Sequence, residues 1–208
     1  MLLGLGWRRG LGLLRGLLRT GKTVFIGRQV SLVNKGFLTL GRAVTLQDGV
    51  YIDAFAAKGV RIGERCNIGP YVRIQATGVM TKIGTGLEMG PDCGIGAFSF
   101  IGCGGGVKLG RNVIMGQYVS FHSENHNYDD LSRPIRAQGV TRAGIEIGDD
   151  CWIGAKSTFI DGAKVGSGVV VAAGSVVRGE VPDNVVIGGV PARVLRRRGD
   201  APAAEVAP

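Results

Sequence analysis

A large apolar residue recurs at every sixth position over most of this 208-residue chain. Glycine or another small residue often follows it directly. A period of six matches neither an amphipathic helix, which repeats every 3.6 residues, nor a half-buried strand, which alternates every two. Within blocks of the chain, nineteen positions share one phase: Leu40, Leu46, Ile52, Ile62, Ile68, Ile74, Ile83, Met89, Ile95, Ile101, Leu109, Met115, Phe121, Ile147, Ile153, Phe159, Val165, Val171 and Val177.

This period fits short strands that each point one apolar residue inward and are joined by tight turns. Turns of this kind need residues that tolerate positive φ, which gives a reason for the 37 glycines. Three strands close a triangular coil of about 18 residues, and coils stack at strand spacing, roughly 4.8 Å. Because each coil buries its apolar layer only against its neighbours, the solenoid must be several coils tall. Residues 24–178, less an interruption, leave room for about seven coils.

The length predicts a single domain with additions at both ends. Residues 1–22 are predicted to form an amphipathic N-terminal segment, and 23–198 the all-β solenoid domain. Within that domain we expect a protruding loop at 122–144 and a C-terminal cap at 179–198. Residues 199–208 are expected to be a disordered tail.

The N-terminal segment has an apolar stripe at helical spacing with arginines on one flank. Two interpretations stay open: a helix lying in an anionic membrane surface through residues 1–19, or a helix capping the open end of the solenoid. Its five glycines oppose a helix, each by up to about 1 kcal/mol relative to alanine. The sequence shows no signal peptide and no stretch long enough to span a bilayer. The stripe is Leu3, Trp7, Leu11, Leu14 and Leu18, and the flank is Arg8, Arg15 and Arg19.

The net charge of +9 is concentrated at the two ends of the chain. Basic residues interleaved with stacking aromatics are absent from the sequence, so we do not expect a nucleic-acid partner. Bound phosphates or an anionic membrane suit such local clusters better. The four cysteines, at positions 66, 93, 103 and 151, lack CxxC spacing. Three of them fall at one phase of the repeat and are expected to be small buried thiols, which is compatible with a reducing compartment.

Residues 122–144 interrupt the repeat and contain both histidines of the chain, His122 and His126. A loop on a rigid scaffold is a frequent place for catalysis. Transfer of an acyl group from a thioester to a hydroxyl needs a base to take the hydroxyl proton, and histidine has a suitable pKa near neutrality. Either histidine could serve by this reasoning, and both could also be ordinary surface residues.

The stretches "IGDDCWIGAKSTFIDGAKVGSGVVVAAGSVV" and "VPDNVVIGGVPARVLRRR" resemble the hexapeptide-repeat acyltransferases, over roughly residues 24–195. The resemblance implies a left-handed parallel β-helix, an acetyl-CoA co-substrate and a homotrimer. Within this family, the chain is similar to the maltose and galactoside O-acetyltransferases. The interruption, "FHSENHNYDDLSRPIRAQGVTRAGIEIGDDCWIG", is nearer to a group that acts on bacterial surface polysaccharides.

The resemblance also implies roles for individual residues. His126 stands at the family's spacing from Phe121 and would be the catalytic base, with Glu124 or a backbone carbonyl orienting its imidazole. His122 would be a packed neighbour or an acceptor contact, and Asn125 would contact the acceptor. For the donor, it implies a pantetheine groove at small residues and phosphate contacts at arginines: Gly154, Ala155, Ala172, Ala173, Arg178, Arg193 and Arg196. Where galactoside-type enzymes hold the sugar with an asparagine, "CGIGAFSFIGCGGG" has Ser99, so the acceptor is expected to differ.

The resulting prediction is an acetyl-CoA-dependent O-acetyltransferase acting on a sugar hydroxyl of a surface polysaccharide or its precursor. It would be cytoplasmic, or peripheral on the inner face of the membrane. An N-acyltransferase on an amino sugar and a non-catalytic solenoid module are the alternatives. A zinc hydratase resembling the γ-class carbonic anhydrases needs three histidines per metal, and this chain has two, so no metal is expected.

Overall fold

In a computed structural model, residues 2–21, 23–78 and 81–200 are described, with residues 2–9 and 19 described by their backbone alone. Residues 201–208 of the predicted tail therefore lie outside the described part. Within it, the chain begins with a helix, α1 (Leu2–Thr20), and continues as strands of two to six residues, with short 3-10 helices at Lys35–Phe37 and Ile135–Ala137.

The strands before the interruption are β1 (Phe25–Ile26), β2 (Ser31–Val33), β3 (Leu38–Leu40), β4 (Thr45–Leu46), β5 (Tyr51–Asp53), β6 (Val60–Ile62), β7 (Asn67–Ile68), β8 (Arg73–Gln75), β9 (Leu87–Met89), β10 (Gly94–Ile95), β11 (Phe100–Gly102), β12 (Val107–Leu109), β13 (Ile114–Met115) and β14 (Ser120–His122). Those within and after it are β15 (Asn125–His126), β16 (Val140–Thr141), β17 (Ile145–Ile147), β18 (Trp152–Ile153), β19 (Thr158–Ile160), β20 (Lys164–Val165), β21 (Val170–Val171), β22 (Val176–Val177), β23 (Glu180–Val181), β24 (Val185–Gly189) and β25 (Ala192–Arg197).

The strands of the repeat form three parallel sheets, because each strand pairs with the equivalent strand of the neighbouring coil. Sheet A has the order β1-β4-β7-β10-β13-β18-β21-β24-β25, sheet B β2-β5-β8-β11-β14-β19-β22, and sheet C β3-β6-β9-β12-β17-β20-β23. The three sheets are the faces of a triangular, left-handed parallel β-helix. Strand β25 is the exception: it turns back antiparallel to β24 at the C-terminal end of sheet A. The predicted fold is confirmed, and seven strands in sheets B and C agree with about seven coils.

The inward-facing residues of the repeat make one continuous core. Eighteen of the nineteen predicted positions are buried. The prediction is wrong for Ile83, whose side chain is 49% exposed. It lies between β8 and β9, where the chain takes eleven residues (76–86) to turn from sheet B to sheet C, against four (103–106) between β11 and β12 one coil later. The insertion shifts the count, so Ile83 leaves the core.

The glycines that follow the repeated apolar residue have a different cause from the one predicted. Gly96, Gly116 and Gly154 do not have positive φ. A Cβ at Gly154 would lie 2.5 Å from the backbone nitrogen of Ala173 in the next coil, and one at Gly96 would lie 2.2 Å from the carbonyl oxygen of Gly116. These glycines allow the corners of stacked coils to approach closely.

Positive φ occurs at other corner residues: at glycines such as Gly168 and Gly174, as predicted, and also at large side chains. Tyr71, Phe98 and Tyr118 have φ of 56°, 59° and 57° on successive coils. Their rings stack at centroid distances of 5.2 Å and remain about half exposed. Stacking between coils therefore accompanies a backbone conformation that is rare for bulky side chains.

Helix α1 packs against the N-terminal end of sheet A through its glycines. A Cβ at Gly16 would lie 1.8 Å from the carbonyl oxygen of Val24, and one at Gly12 would overlap the ring of Phe25. Between them, the Nε of Arg15 donates to the carbonyl of Ile26 at 2.8 Å. The opposite side is open to solvent, with Leu14 52% and Leu18 76% exposed. The predicted capping position is thus occupied, while Leu11, Leu14 and Leu18 of the apolar stripe are exposed to solvent.

Within the described residues, none of the helices has the length and apolarity that crossing a bilayer requires.

Candidate functional site

The interruption leaves the solenoid at the corner between sheets B and C, and both of its ends are fixed there. Ser123, 1% exposed, donates its hydroxyl to the carbonyl of Gly102 at 2.7 Å and accepts from the amide of Gly105 at 3.0 Å. On the return, the carboxylate of Asp161 accepts from the amides of Ala143 and Gly144, at 3.1 and 2.8 Å. The loop is therefore held at its base by hydrogen bonds to the coils.

Between these two points the chain forms a small hairpin that carries His126. Strand β15 pairs antiparallel with β16, placing His126 opposite Val140 and Asn125 opposite Thr141. Both His126 and Asn125 are exposed. An exposed imidazole on a protruding hairpin can meet a substrate that approaches this corner.

Glu124 lies immediately before the hairpin and forms an ion pair with Arg142, immediately after it. The Nε of Arg142 donates to Glu124 Oε2 at 3.0 Å, and the two side chains are 25% and 38% exposed. The same guanidinium donates to the carbonyls of Ile83 and Lys82, at 2.9 and 3.2 Å. One carboxylate oxygen of Glu124 is thus occupied by Arg142, a residue that no sequence motif singled out. Orientation of His126 by Glu124 stays a prediction.

His122 ends β14 on the outer side of sheet B and is exposed. Its ring centroid lies 5.8 Å from that of Phe100 on the neighbouring coil. The structure therefore places the two histidines on different elements, one on the solenoid face and one on the hairpin. A role of His122 at the acceptor remains a prediction.

A depression of about 190 Å³ adjoins the base of the loop. Its lining includes the glycine-rich turn at Gly105 and Gly106, the returning residue Gly144, and both cationic and acidic side chains. Complete small-molecule sites usually measure roughly 300–1,000 Å³. The depression is smaller than that range. The charged residues of the lining are Lys58, Arg61, Lys108, Glu88 and Glu146.

The small residues predicted for the donor groove lie on another edge of the triangle, the corner between sheets A and B. Gly154 and Ala155 follow β18, and Ala172 and Ala173 follow β21. Sheet B separates this corner from the corner that carries the loop: the five residues from Ala155 to Ile160 cross the sheet and span roughly 16 Å. Within one chain, the structure does not bring these residues together with His126.

The arginines predicted for the donor phosphates are near the C-terminal end. Arg178 follows β22 and is exposed, and Arg193 and Arg196 belong to β25. Arg196 donates to the carbonyls of Arg197 and Asp200, at 3.1 and 3.2 Å. Arg198 instead forms an exposed ion pair with the carboxylate of Asp150 at 2.9 Å.

In the part of the chain that the structure describes, no three histidine, cysteine or acidic side chains are grouped so that they could hold a metal ion.

Comparison with known proteins agrees with this architecture. The family model described as bacterial transferase hexapeptide (six repeats) matches residues 144–179. A probable acetyltransferase of Mycobacterium tuberculosis is 32% identical over 168 residues, which are 80% of this chain and 54% of that protein. The resemblance to the hexapeptide-repeat transferases is therefore confirmed. The chain spans about half the length of that mycobacterial relative.

Two further proteins are similar to this chain. An Escherichia coli protein named as an O-acetyl transferase of lipopolysaccharide biosynthesis is 26% identical over 171 residues, covering 79% of this chain and 74% of that protein. The N-acyltransferase AntD from Bacillus cereus, solved in complex with dTDP and 3-hydroxybutyryl-CoA, has a TM-score of 0.55 and 20% identity, covering 89% of this chain and 88% of that one. At this identity, the structural likeness concerns the fold alone.

Proposed function

We propose that this protein transfers an acetyl group from acetyl-CoA to a hydroxyl of a surface polysaccharide or its precursor. The observation that carries the proposal is the hairpin with His126, which protrudes from a rigid corner and exposes its imidazole. Two kinds of relative support the reaction class: proteins named as acetyltransferases, and one named for lipopolysaccharide biosynthesis.

In the proposed reaction, His126 accepts the proton of the acceptor hydroxyl while the hydroxyl oxygen attacks the thioester carbonyl. The tetrahedral intermediate then collapses: its C–S bond breaks and the acetyl ester remains on the sugar. The departing thiolate takes the proton from the imidazolium, which restores the neutral base. No other reactant is needed. General-base catalysis of this kind contributes typically about 10²–10⁴-fold in rate.

The donor would lie along the small residues Gly154, Ala155, Ala172 and Ala173. Arg178, Arg193 and Arg196 would hold its phosphates, because the forked guanidinium matches phosphate geometry. The complex of AntD with an acyl-CoA supports a donor of this class on this fold.

We infer a homotrimer in which each site lies between two copies. The support is geometric, since the histidine hairpin and the small-residue corner occupy different edges of one chain. Chains with His126→Ala and chains with Ala173→Trp, each inactive alone, should then regain activity when refolded together, because a mixed trimer contains one intact pair of edges. No recovery in verified mixed trimers would show that each site lies within one chain.

N-acylation of an amino sugar is the second candidate, favoured by the fold shared with the N-acyltransferase AntD. An amine would use the same base and donor. Matched hydroxyl and amino sugars offered with acetyl-CoA separate the two, by comparison of kcat/KM for coenzyme A release.

We also propose that the protein works in the cytoplasm, peripheral to the inner face of the membrane, through the outer side of α1. That side exposes leucines, and the sequence of residues 1–22 has basic but no acidic residues. This combination suits an anionic lipid surface. Wild-type protein should co-sediment with vesicles containing anionic phospholipid more than with neutral ones, and a Leu14→Glu, Leu18→Glu double variant should lose that binding. Equal recovery of both proteins with anionic vesicles would rule out this role.

The test of the enzymatic proposal is a pair of histidine variants. His126→Ala should lower kcat by about 10²–10⁴-fold, while the melting temperature and the affinity for acetyl-CoA stay near wild type, because an exposed hairpin residue buries little surface. His122→Ala is the matched control and should cost much less. If the two effects are exchanged, His126 is not the base. If neither variant loses tenfold, the non-catalytic solenoid is the better interpretation.

A further inference from the structure

We propose that Arg142 is a positioning residue for His126, an inference that rests on the function proposed above. Arg142 directly follows β16, and Glu124 directly precedes β15. Their ion pair therefore lies one position beyond the pairing of Asn125 with Thr141, and it closes the open end of the hairpin.

Arg142 ties the hairpin to a second protruding segment of the chain. Besides the bond to Glu124 at 3.0 Å, its guanidinium donates to the carbonyls of Ile83 and Lys82, at 2.9 and 3.2 Å. Those carbonyls belong to the inserted turn at 76–86, which leaves the same corner of the solenoid two coils earlier. The planar guanidinium reaches these acceptors with three different nitrogens, Nε, Nη1 and Nη2, whereas the ammonium of lysine offers its donors from a single atom.

The carboxylate of Glu124 is seated against glycines that leave room for it. A Cβ at Gly104 would lie 2.5 Å from Oε2, and a Cβ at Gly78 would lie 3.8 Å from Oε1. An alanine at Gly104 would therefore push the carboxylate away from its present position. The pair is thus held by the shape of the glycine-rich turn as well as by charge.

The hairpin needs this anchor because it has only two paired residues on each strand. Isolated two-stranded hairpins are at best marginally stable in water. His126 is two residues from Glu124, so the direction of its imidazole depends on where the base of the hairpin is held. Misplacement of a catalytic group by about 1 Å can cost about 10²-fold in rate.

The first experiment compares Arg142→Ala with Arg133→Ala, a matched control in the same loop, whose guanidinium bonds within the loop to the carbonyl of Ala137. Arg142→Ala should lower kcat by about 10–100-fold with the KM for acetyl-CoA nearly unchanged, and Arg133→Ala should leave both near wild type. Gly104→Ala should repeat the kcat loss without removing a charge, and Arg142→Lys should restore only part of it. A normal kcat in Arg142→Ala would overturn the proposal.

The second experiment asks whether Arg142 acts through His126. In a His126→Ala background, adding Arg142→Ala should cause no further loss of the residual rate. A further loss of tenfold or more would mean that Arg142 acts on the substrate or on the fold, and the proposal would be wrong.

Hydrogen exchange makes the test independent of turnover. The amides of the hairpin should exchange faster in Arg142→Ala than in Arg133→Ala, while the solenoid strands stay protected. If the wild type turns over no acyl-CoA but the exchange differs as described, the anchor stands and the proposed function fails. Unchanged exchange together with unchanged kcat rejects the anchor alone.

Discussion

Substitution of the two helix glycines Gly16 and Gly10 by alanine should have opposite effects on stability, although alanine favours a helix equally at both. Gly10 is exposed, and a Cβ there would have no neighbour within 4 Å outside its own helix. Gly16 faces the solenoid, where a Cβ would lie 1.8 Å from the carbonyl oxygen of Val24. The contrast separates helix propensity from docking of α1 on the first coil.

The magnitudes follow from the contacts. A methyl group needs about 3.5 Å from that carbonyl oxygen, so Gly16→Ala must move the helix outward by about 1.7 Å. Overpacking of this kind costs about 1–3 kcal/mol. The displacement also breaks the hydrogen bond from Arg15 to the carbonyl of Ile26, which contributes about 0.5–1.5 kcal/mol. Against these stands a gain of about 1 kcal/mol in helix propensity.

Gly16→Ala should therefore destabilise the protein by about 1–3 kcal/mol, and Gly10→Ala should stabilise it by up to about 1 kcal/mol. For a chain of this size each kcal/mol shifts the melting temperature by about 2–4 °C. Calorimetric scans of the two variants beside wild type measure this directly. If both variants melt higher than wild type, α1 does not pack on the solenoid end and the capping interpretation is refuted.

Two further predictions concern the core. Phe159 is fully buried, and its ring stacks on that of Phe121 at a centroid distance of 4.7 Å. Phe159→Ala should lower the free energy of unfolding by about 3–5 kcal/mol, measured as a lower urea midpoint with an unchanged dependence on urea. A loss below about 1 kcal/mol would contradict the packing. The cysteines are buried, and burial raises the pKa of the Cys103 and Cys151 thiols. In native protein at pH 8, a thiol reagent should therefore not label these two rapidly, and it should label them fully after unfolding. Fast stoichiometric reaction of either thiol in native protein would count against this.

Much of the fold could be predicted from the sequence because each coil repeats one local rule. An inward residue every six positions identifies strand, corner and core together, and Phe121, Phe159 and Ile153 lie where the period places them. The rule fails where the chain is inserted rather than periodic. Ile83 keeps an apolar identity at a plausible spacing, yet the turn at 76–86 carries it out of the core. Residue type and spacing alone cannot distinguish such a residue from a core residue.

The glycines illustrate a second limit. Their number pointed to tight turns with positive φ, whereas at Gly96 and Gly154 the demand comes from the backbone of the next coil. In α1, Gly12 and Gly16 counted against a helix, and in the structure they are the surface by which the helix docks. A glycine in a sequence is ambiguous, because a backbone with positive φ and the close approach of a neighbouring backbone both require glycine.

In the candidate site, too, one residue could be predicted from the sequence pattern and another could not. His126 could be found because it lies in the interruption of a regular pattern. Arg142 could not: its partner Glu124 is 18 residues away and meets it across the hairpin, while Lys82 and Ile83 are 60 and 59 residues away and meet it only through the stacking of coils. A periodic solenoid brings every protruding segment of one corner into a single column, so insertions that are distant in the chain become neighbours along one edge. Residues that position a reactive group on such a fold should therefore be sought in the other insertions of the same corner, rather than near that group in the sequence.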